Sequence, residues 1–245
     1  MPLSIPPRNR KDRYTFHVRR RPQPAERQDK REVGRYALPQ AAEFIGMPSR
    51  TMRHWFLGRK RIFRPSYQHG KAVLLSFEDI TEAYMVHVLR KHYSYSAERI
   101  RVALEQLRKK HGQEKPFAQR DIRVVAEFMA LVERKKHKGK TVDIDHAHHG
   151  NLFISPFVDA LGHRIHRDAH GHACRLYPWR NADSSEMPVS INPEVMSGEL
   201  VVAGTRIPAL AILAERDAGH TIDEIAKLYS LTPSLVEKVI LHFEK

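Results

Sequence analysis

Tyr36-Ala-Leu-Pro-Gln-Ala-Ala-Glu-Phe-Ile-Gly46-Met-Pro-Ser49-Arg-Thr-Met-Arg-His-Trp-Phe56 is the stretch on which the reading of the fold turns. Pro39 fits a helix start, Ala42 and Ile45 share one face, and Gly46 stands where a short helix stops. Met47 and Pro48 make a turn. Ser49 is placed to cap a second short helix with Met52, Trp55 and Phe56 facing inward. Its outward face carries Arg50, Thr51, Arg53 and His54. This pattern predicts a helix-turn-helix, whose second helix lies in a major groove with polar side chains toward base edges and a buried aromatic behind them.

Outward from this stretch, Arg59-Lys-Arg-Ile-Phe-Arg64, a turn at His69-Gly70-Lys71 and the apolar Ala72-Val-Leu-Leu75 predict a basic hairpin, or wing. Arg59, Lys60, Arg64 and Lys71 are its expected phosphate contacts. Ser76 and Asp79 form a capping-box pattern before Ile80, Ala83, Tyr84, His87 and Val88. Ser96 caps another helix carrying Ile100, Ala103, Leu104 and Leu107, which Gly112 ends. An ordinary solvated face on a helical hairpin is the plain alternative, but the neighbouring basic segments favour DNA.

Charge is unevenly spread along the 245 residues, which carry +14 in total. Residues 1–32 hold +6, 33–115 hold +9, 116–190 hold +2 and 191–245 hold −3. The first half suits a polyanion, whereas phosphates would repel the last segment, so two jobs are implied. Cys174 is the only cysteine, so no disulfide framework is available. No apolar run approaches the ~18 residues of a membrane span, and the first residues lack the apolar core of a secretory signal. A soluble, cytoplasmic chain is expected, with no membrane partner.

The expected fold class is α+β, mainly helical, in four parts. Residues 1–32 read as a disordered basic arm and 33–115 as the winged helix-turn-helix. Residues 116–190 read as a small α+β middle segment with a linker, and 191–245 as a small helical domain with a short strand. In the middle, the pattern favours a strand over 122–134 turning into 142–144, a short helix over 151–161, a hairpin over 165–177 with Gly171 in its turn, and a linker over 181–185. In the last part, Val201-Val202 make a strand and Pro208 begins a helix that stops at Gly219. Thr221 and Glu224 form a capping box, and Thr232 with Pro233 opens a final helix with Leu235, Val236, Val239, Ile240 and Phe243 on one stripe. That stripe predicts homodimerisation through 191–245, since so small a domain has little core of its own. Within Gly204-Thr205-Arg206, Gly204 should supply a positive φ, Thr205 should bond the turn, and Arg206 should pair with an acid.

Ala42-Glu-Phe-Ile-Gly46-Met-Pro-Ser-Arg-Thr51-Met-Arg53-His-Trp55 resembles the winged helix-turn-helix of the MerR-like family, with residues 59–75 as its wing. Ile191-Asn-Pro193, Gly198-Glu-Leu-Val-Val-Ala-Gly204-Thr-Arg-Ile-Pro208, Ala218-Gly-His-Thr-Ile-Asp-Glu224 and Leu231-Thr-Pro233 together resemble the small bacterial domain of unknown function four-three-three. Leu200 stands where that family usually has proline. The two together resemble long VapB-type antitoxins. The resemblance implies that the protein binds operator DNA to repress its own operon and neutralises a PIN-domain ribonuclease toxin. Such toxins hold a metal with carboxylates, which an arginine can engage. Arg164, Arg167, Arg175 and Arg180, in or beside polar segments, are the expected toxin contacts.

His146, His148, His149, His163, His166, His170 and His172 crowd one segment near Cys174. Without an HExxH pair or a cysteine pair they read as surface or structural residues, and no metal or other cofactor is expected. Their alternative is a MerR-like transcription regulator sensing a ligand or metal. A third reading is a pure interaction scaffold. No nucleophile–base pair, metal cage or phosphate loop is present, so no enzyme is expected.

Overall fold

The computed structural model describes residues 29–93, 95–119, 163–178 and 186–244. Among the described residues there are eight α-helices and two small antiparallel sheets. No described helix is long and apolar enough to cross a membrane. The strands and helix expected within 122–161, the linker at 181–185, Arg180, most of the basic arm, and His146, His148 and His149 lie outside the described residues.

The first sheet is built around one helical pair. Strand β1 (Tyr36–Ala37) leads into α1 (Leu38–Phe44), and Gly46 turns the chain at φ +68° before α2 (Ser49–Leu57). Pro48, not Ser49, occupies the N-cap of α2, and its carbonyl accepts from the Thr51 and Met52 amides at 2.9 and 3.1 Å. Ser49 is therefore the first helical residue. Met52, Trp55 and Phe56 are fully buried. Their spacing puts one face inward, where each such side chain stabilises by about 1.5–3 kcal/mol. The basic run after α2 is a link rather than a hairpin arm. Ile62 and Phe63 fold back so that both amides donate to the Trp55 carbonyl, at 2.8 and 3.1 Å. The hairpin arms are β2 (Tyr67–His69) and β3 (Ala72–Leu75), with Gly70 turning them at φ +57°. β3 also pairs with β1, giving the order β1-β3-β2.

Two long helices close this part. Before α3 (Phe77–Tyr93), the Asp79 amide donates to Ser76 Oγ at 3.1 Å and the Ser76 amide to Asp79 Oδ2 at 3.0 Å, the reciprocal cap its spacing predicts. α4 (Ala97–His111) is capped by Ser96 and stopped by Gly112 at φ +66°. Four basic residues in its last turn suit the negative end of the helix dipole. The short α5 (Pro116–Gln119) follows.

The second sheet joins two hairpins. Strands β4 (Ile165–Arg167), β5 (Ala173–Leu176), β6 (Val189–Ile191) and β7 (Leu200–Val202) lie in sequence order. Ile165 pairs with Leu176, Leu176 with Ile191 and Ile191 with Leu200, so one buried apolar row crosses all four strands. The expected domain boundary at 190/191 thus runs through the middle of a sheet, because the β5–β6 pairing lies between residues distant in sequence. Helices α6 (Ala209–Asp217), α7 (Ile222–Tyr229) and α8 (Pro233–Phe243) complete the chain, and α6 packs on β7. The Thr221–Glu224 capping box and the Thr232 cap are both formed. Gly204 has φ +77°, and Thr205 Oγ1 bonds Val202 and Ile207 across the turn. Arg206 is exposed and makes no ion pair among the described residues, against expectation.

Several contacts tie the two parts together. Tyr36 Oη reaches the Gly198 carbonyl, Arg35 the Ser197 carbonyl, and Arg31 the Asp168 carboxylate. Arg31 and Asp29 lie within the expected disordered arm, yet Arg31 is bound to Asp29 and Asp168 and only partly exposed. Burial works to raise the Asp168 carboxyl, but the Arg31 guanidinium and the His172 and His170 amides outweigh it and hold the group at about 2.

Candidate nucleic-acid interface

The α2 helix has two chemically distinct sides. Arg50, Arg53 and His54 are exposed on the outer side, where i, i+3 and i+4 spacing makes them neighbours, and Thr51 is half-buried beside them. None of the four side chains bonds to another described residue. On the inner side, Trp55 stacks edge-on to Phe63 with centroids 6.3 Å apart, and Phe56 lies 5.2 Å from the same ring. The Arg90 guanidinium sits 5.9 Å from the Trp55 ring centroid, a cation–π distance. These contacts fix the helix by its back and leave its basic front to solvent.

Gly58 lets the chain leave α2 at a sharp angle. Its φ is an ordinary −70°, so close approach, not conformation, requires glycine. A Cβ there would sit 2.4 Å from the His54 carbonyl oxygen and 2.8 Å from His54 Nδ1.

Beyond Gly58, Arg59, Lys60 and Arg64 are exposed on the link, and Lys71 is exposed at the hairpin tip. None forms an ion pair with a described residue. Arg61, also exposed on the link, and Tyr67, 47% exposed on β2, were not among the expected contacts. Arg61 lies inside the basic run at 59–64, and Tyr67 could have been found as an aromatic beside a basic turn.

The expected toxin-binding arginines fare differently. Arg164 is 2% exposed, donates weakly to the Glu186 carbonyl at 3.4 Å, and has its pKa lowered by desolvation. It does not lie in an open polar segment, because β4 and β5 fold it inward. Arg167 donates to the Gly171 and Phe117 carbonyls at 2.9 and 2.8 Å, tying β4 to α5. Arg175 is half-buried and donates to Tyr177 Oη at 3.2 Å. Of the histidines, His166 stacks on Tyr177 with centroids 5.0 Å apart. Among the described residues, no three His, Cys, Asp or Glu side chains are grouped to hold a metal ion.

Residues 189–241 match a protein family described as Protein of unknown function (DUF433). The match covers β6 through most of α8 and supports a C-terminal unit of that kind. A crystal structure of Rv2018 from Mycobacterium tuberculosis is similar in fold, with a TM-score of 0.64 and 21% sequence identity, over 85% of this chain and 98% of that one. Among curated proteins, none is significantly similar to this sequence.

Proposed function

We propose that residues 33–112 bind double-stranded DNA, with α2 as the recognition helix of a MerR-like winged helix-turn-helix and the β2–β3 hairpin as its wing. The observation that carries this reading is the outer face of α2. Two arginines and a histidine stand there without partners among the described residues, on a helix anchored from behind by buried aromatics. Arginine forks suit guanine edges and phosphates, and the uncapped start of α2 offers free amides to a phosphate. The link and hairpin add cations that suit the flanking backbone.

We further propose that the chain is a VapB-type antitoxin that represses its own operon and neutralises a PIN-domain ribonuclease. The DUF433 match supports the C-terminal half of that resemblance. Toxin capture falls to Arg180 and to the half-buried Arg175, which bonds only the Tyr177 hydroxyl among the described residues, because Arg164 is buried and Arg167 is held by two carbonyls. The test has two arms. Fluorescence anisotropy on the protein's own promoter should show salt-dependent, sequence-preferring binding, and equal binding by the double variant Arg50→Ala/Arg53→Ala would sink the α2 assignment. Co-expression with the neighbouring gene's product should give a stable complex that suppresses ribonuclease activity, and unchanged cleavage would sink the antitoxin assignment.

A further inference from the structure

Between α3, the link from α4 to α5 and residues 63–66 lies a cavity of about 400 Å³. That is within the range of small-ligand sites. Asp79 and Glu82 form its buried floor, and Arg64 and Ser66 are exposed at its rim.

Its charges are unevenly answered. Lys115 Nζ lies 3.0 Å from Asp79 Oδ1 and 3.7 Å from Glu78 Oε2, so those two acids have their cation. Among the described residues Arg108 hydrogen-bonds only to carbonyls, donating to Glu114 at 2.8 Å and Ile62 at 3.3 Å. Arg64 has no acid partner among the described residues. Glu82 accepts from the Phe117 and Ala118 amides through Oε1, at 2.5 and 2.9 Å, while its buried Oε2 has no partner among the described residues. Burial pushes the Glu82 carboxyl up to about 8 against the pull of Arg108 and Lys115, so at neutral pH it carries a proton and is a donor. Two guanidiniums and a carboxylic acid thus line one hollow, and the remaining carboxylate in the lining, Glu114, is exposed. A metal or organic cation would meet Arg64, Arg108 and Lys115, whereas an oxyanion would meet donors.

We propose that this cavity binds a small oxyanion, the carboxylate or phosphate group of a low-molecular-weight ligand, between Arg64 and Arg108 above the Glu82 carboxyl. Charge-assisted bonds to guanidinium are the strong class of hydrogen bond, and burial strengthens them. The cavity shares Arg64 with the proposed DNA surface, but its floor and Arg108 lie outside that surface, and no nucleic acid is needed to test it.

The experiment measures the thermal unfolding midpoint of the full chain at constant ionic strength, with chloride replaced stepwise by inorganic phosphate or by acetate. A ligand that binds only the folded state raises the midpoint saturably. Saturation with phosphate alone identifies a phosphate site, and saturation with acetate a carboxylate site. Arg64→Ala, a change at an exposed position, should weaken the effect at least tenfold. Arg206→Ala, outside the cavity and equal in charge change, should leave it unchanged. The proposal is overturned if neither anion exceeds chloride, or if Arg64→Ala and Arg206→Ala respond alike, which would mark diffuse attraction to a basic surface.

Discussion

The Tyr36 hydroxyl donates to the Gly198 carbonyl at 2.9 Å, across 162 positions of sequence. Gly198 has φ +84°, and a Cβ there would lie 2.0 Å from that hydroxyl oxygen. The tyrosine is 2% exposed, and burial pushes its pKa upward, so the phenol stays a donor. Beside it, Arg35 donates to the Ser197 carbonyl, so consecutive carbonyls of one turn are held by consecutive side chains. This clasp fixes β1 to the turn between β6 and β7.

Tyr36→Phe keeps the ring and strands a buried carbonyl, which should cost about 1–3 kcal/mol in urea unfolding. Gly198→Ala should cost more, because it combines a left-handed backbone with a steric clash. Equal midpoints for Gly198→Ala and the parent protein would refute the clasp.

Glu82 makes stability pH-dependent. Its carboxyl titrates at about 8 in the folded chain against 4.5 ordinarily, so the folded state holds the extra proton between those values. Its contribution is full below about 4.5 and is lost as pH rises toward 8, with a slope of at most ~1.4 kcal/mol per pH unit. Glu82→Gln, which carries no such proton, should flatten this part of the profile in denaturant titrations between pH 5 and 9. An unchanged profile would refute the assignment.

If α2 reads bases and the hairpin grips phosphates, their variants should separate. Arg53→Ala should cost about 1–3 kcal/mol on the preferred site and relax one base position. Lys71→Ala should weaken all sequences alike and reduce the salt slope by about one unit. Titrations on specific and scrambled duplexes at several salt concentrations check both, and identical effects would merge the two surfaces into one.

Dimerisation through the C-terminal helices predicts that Leu228 and Leu241, 61% and 43% exposed, face a second copy. Leu228→Glu and Leu241→Glu should give monomers by sedimentation equilibrium while leaving the circular dichroism intact. Deleting 191–245 is a poorer experiment, since it removes β7 and Ile191, the β6 residue that pairs with β5, and leaves Tyr36 without its acceptor. A stable dimer in both variants would move the interface elsewhere.

Local chemistry was legible in the sequence and long-range pairing was not. The caps at Ser76, Ser96, Thr221 and Thr232 depend on residues within one turn, and each formed as its spacing predicts. The α2 face was readable for the same reason: periodicity alone assigns Trp55 inward and Arg53 outward. Ser49 misled because proline at the N-cap leaves the serine nothing to cap. β1 escaped notice because its two residues become a strand only by pairing with β3. Arg164 looked like a surface cation because its burial depends on how β4 and β5 fold. Glu82 gave no sign at all, since nothing nearby in sequence shows that α5 will place two amides on its carboxylate.

The Tyr36–Gly198 clasp also sets a timetable. A ribosome adding about 5–20 residues each second needs roughly 10–30 s to travel from one partner to the other. Throughout that interval the nascent first sheet has Tyr36 without its acceptor, although α1 through α4 can already pack. Any association of the emerging segment with DNA or with another chain would therefore begin before the clasp closes. The half-made protein has a surface that its finished form conceals.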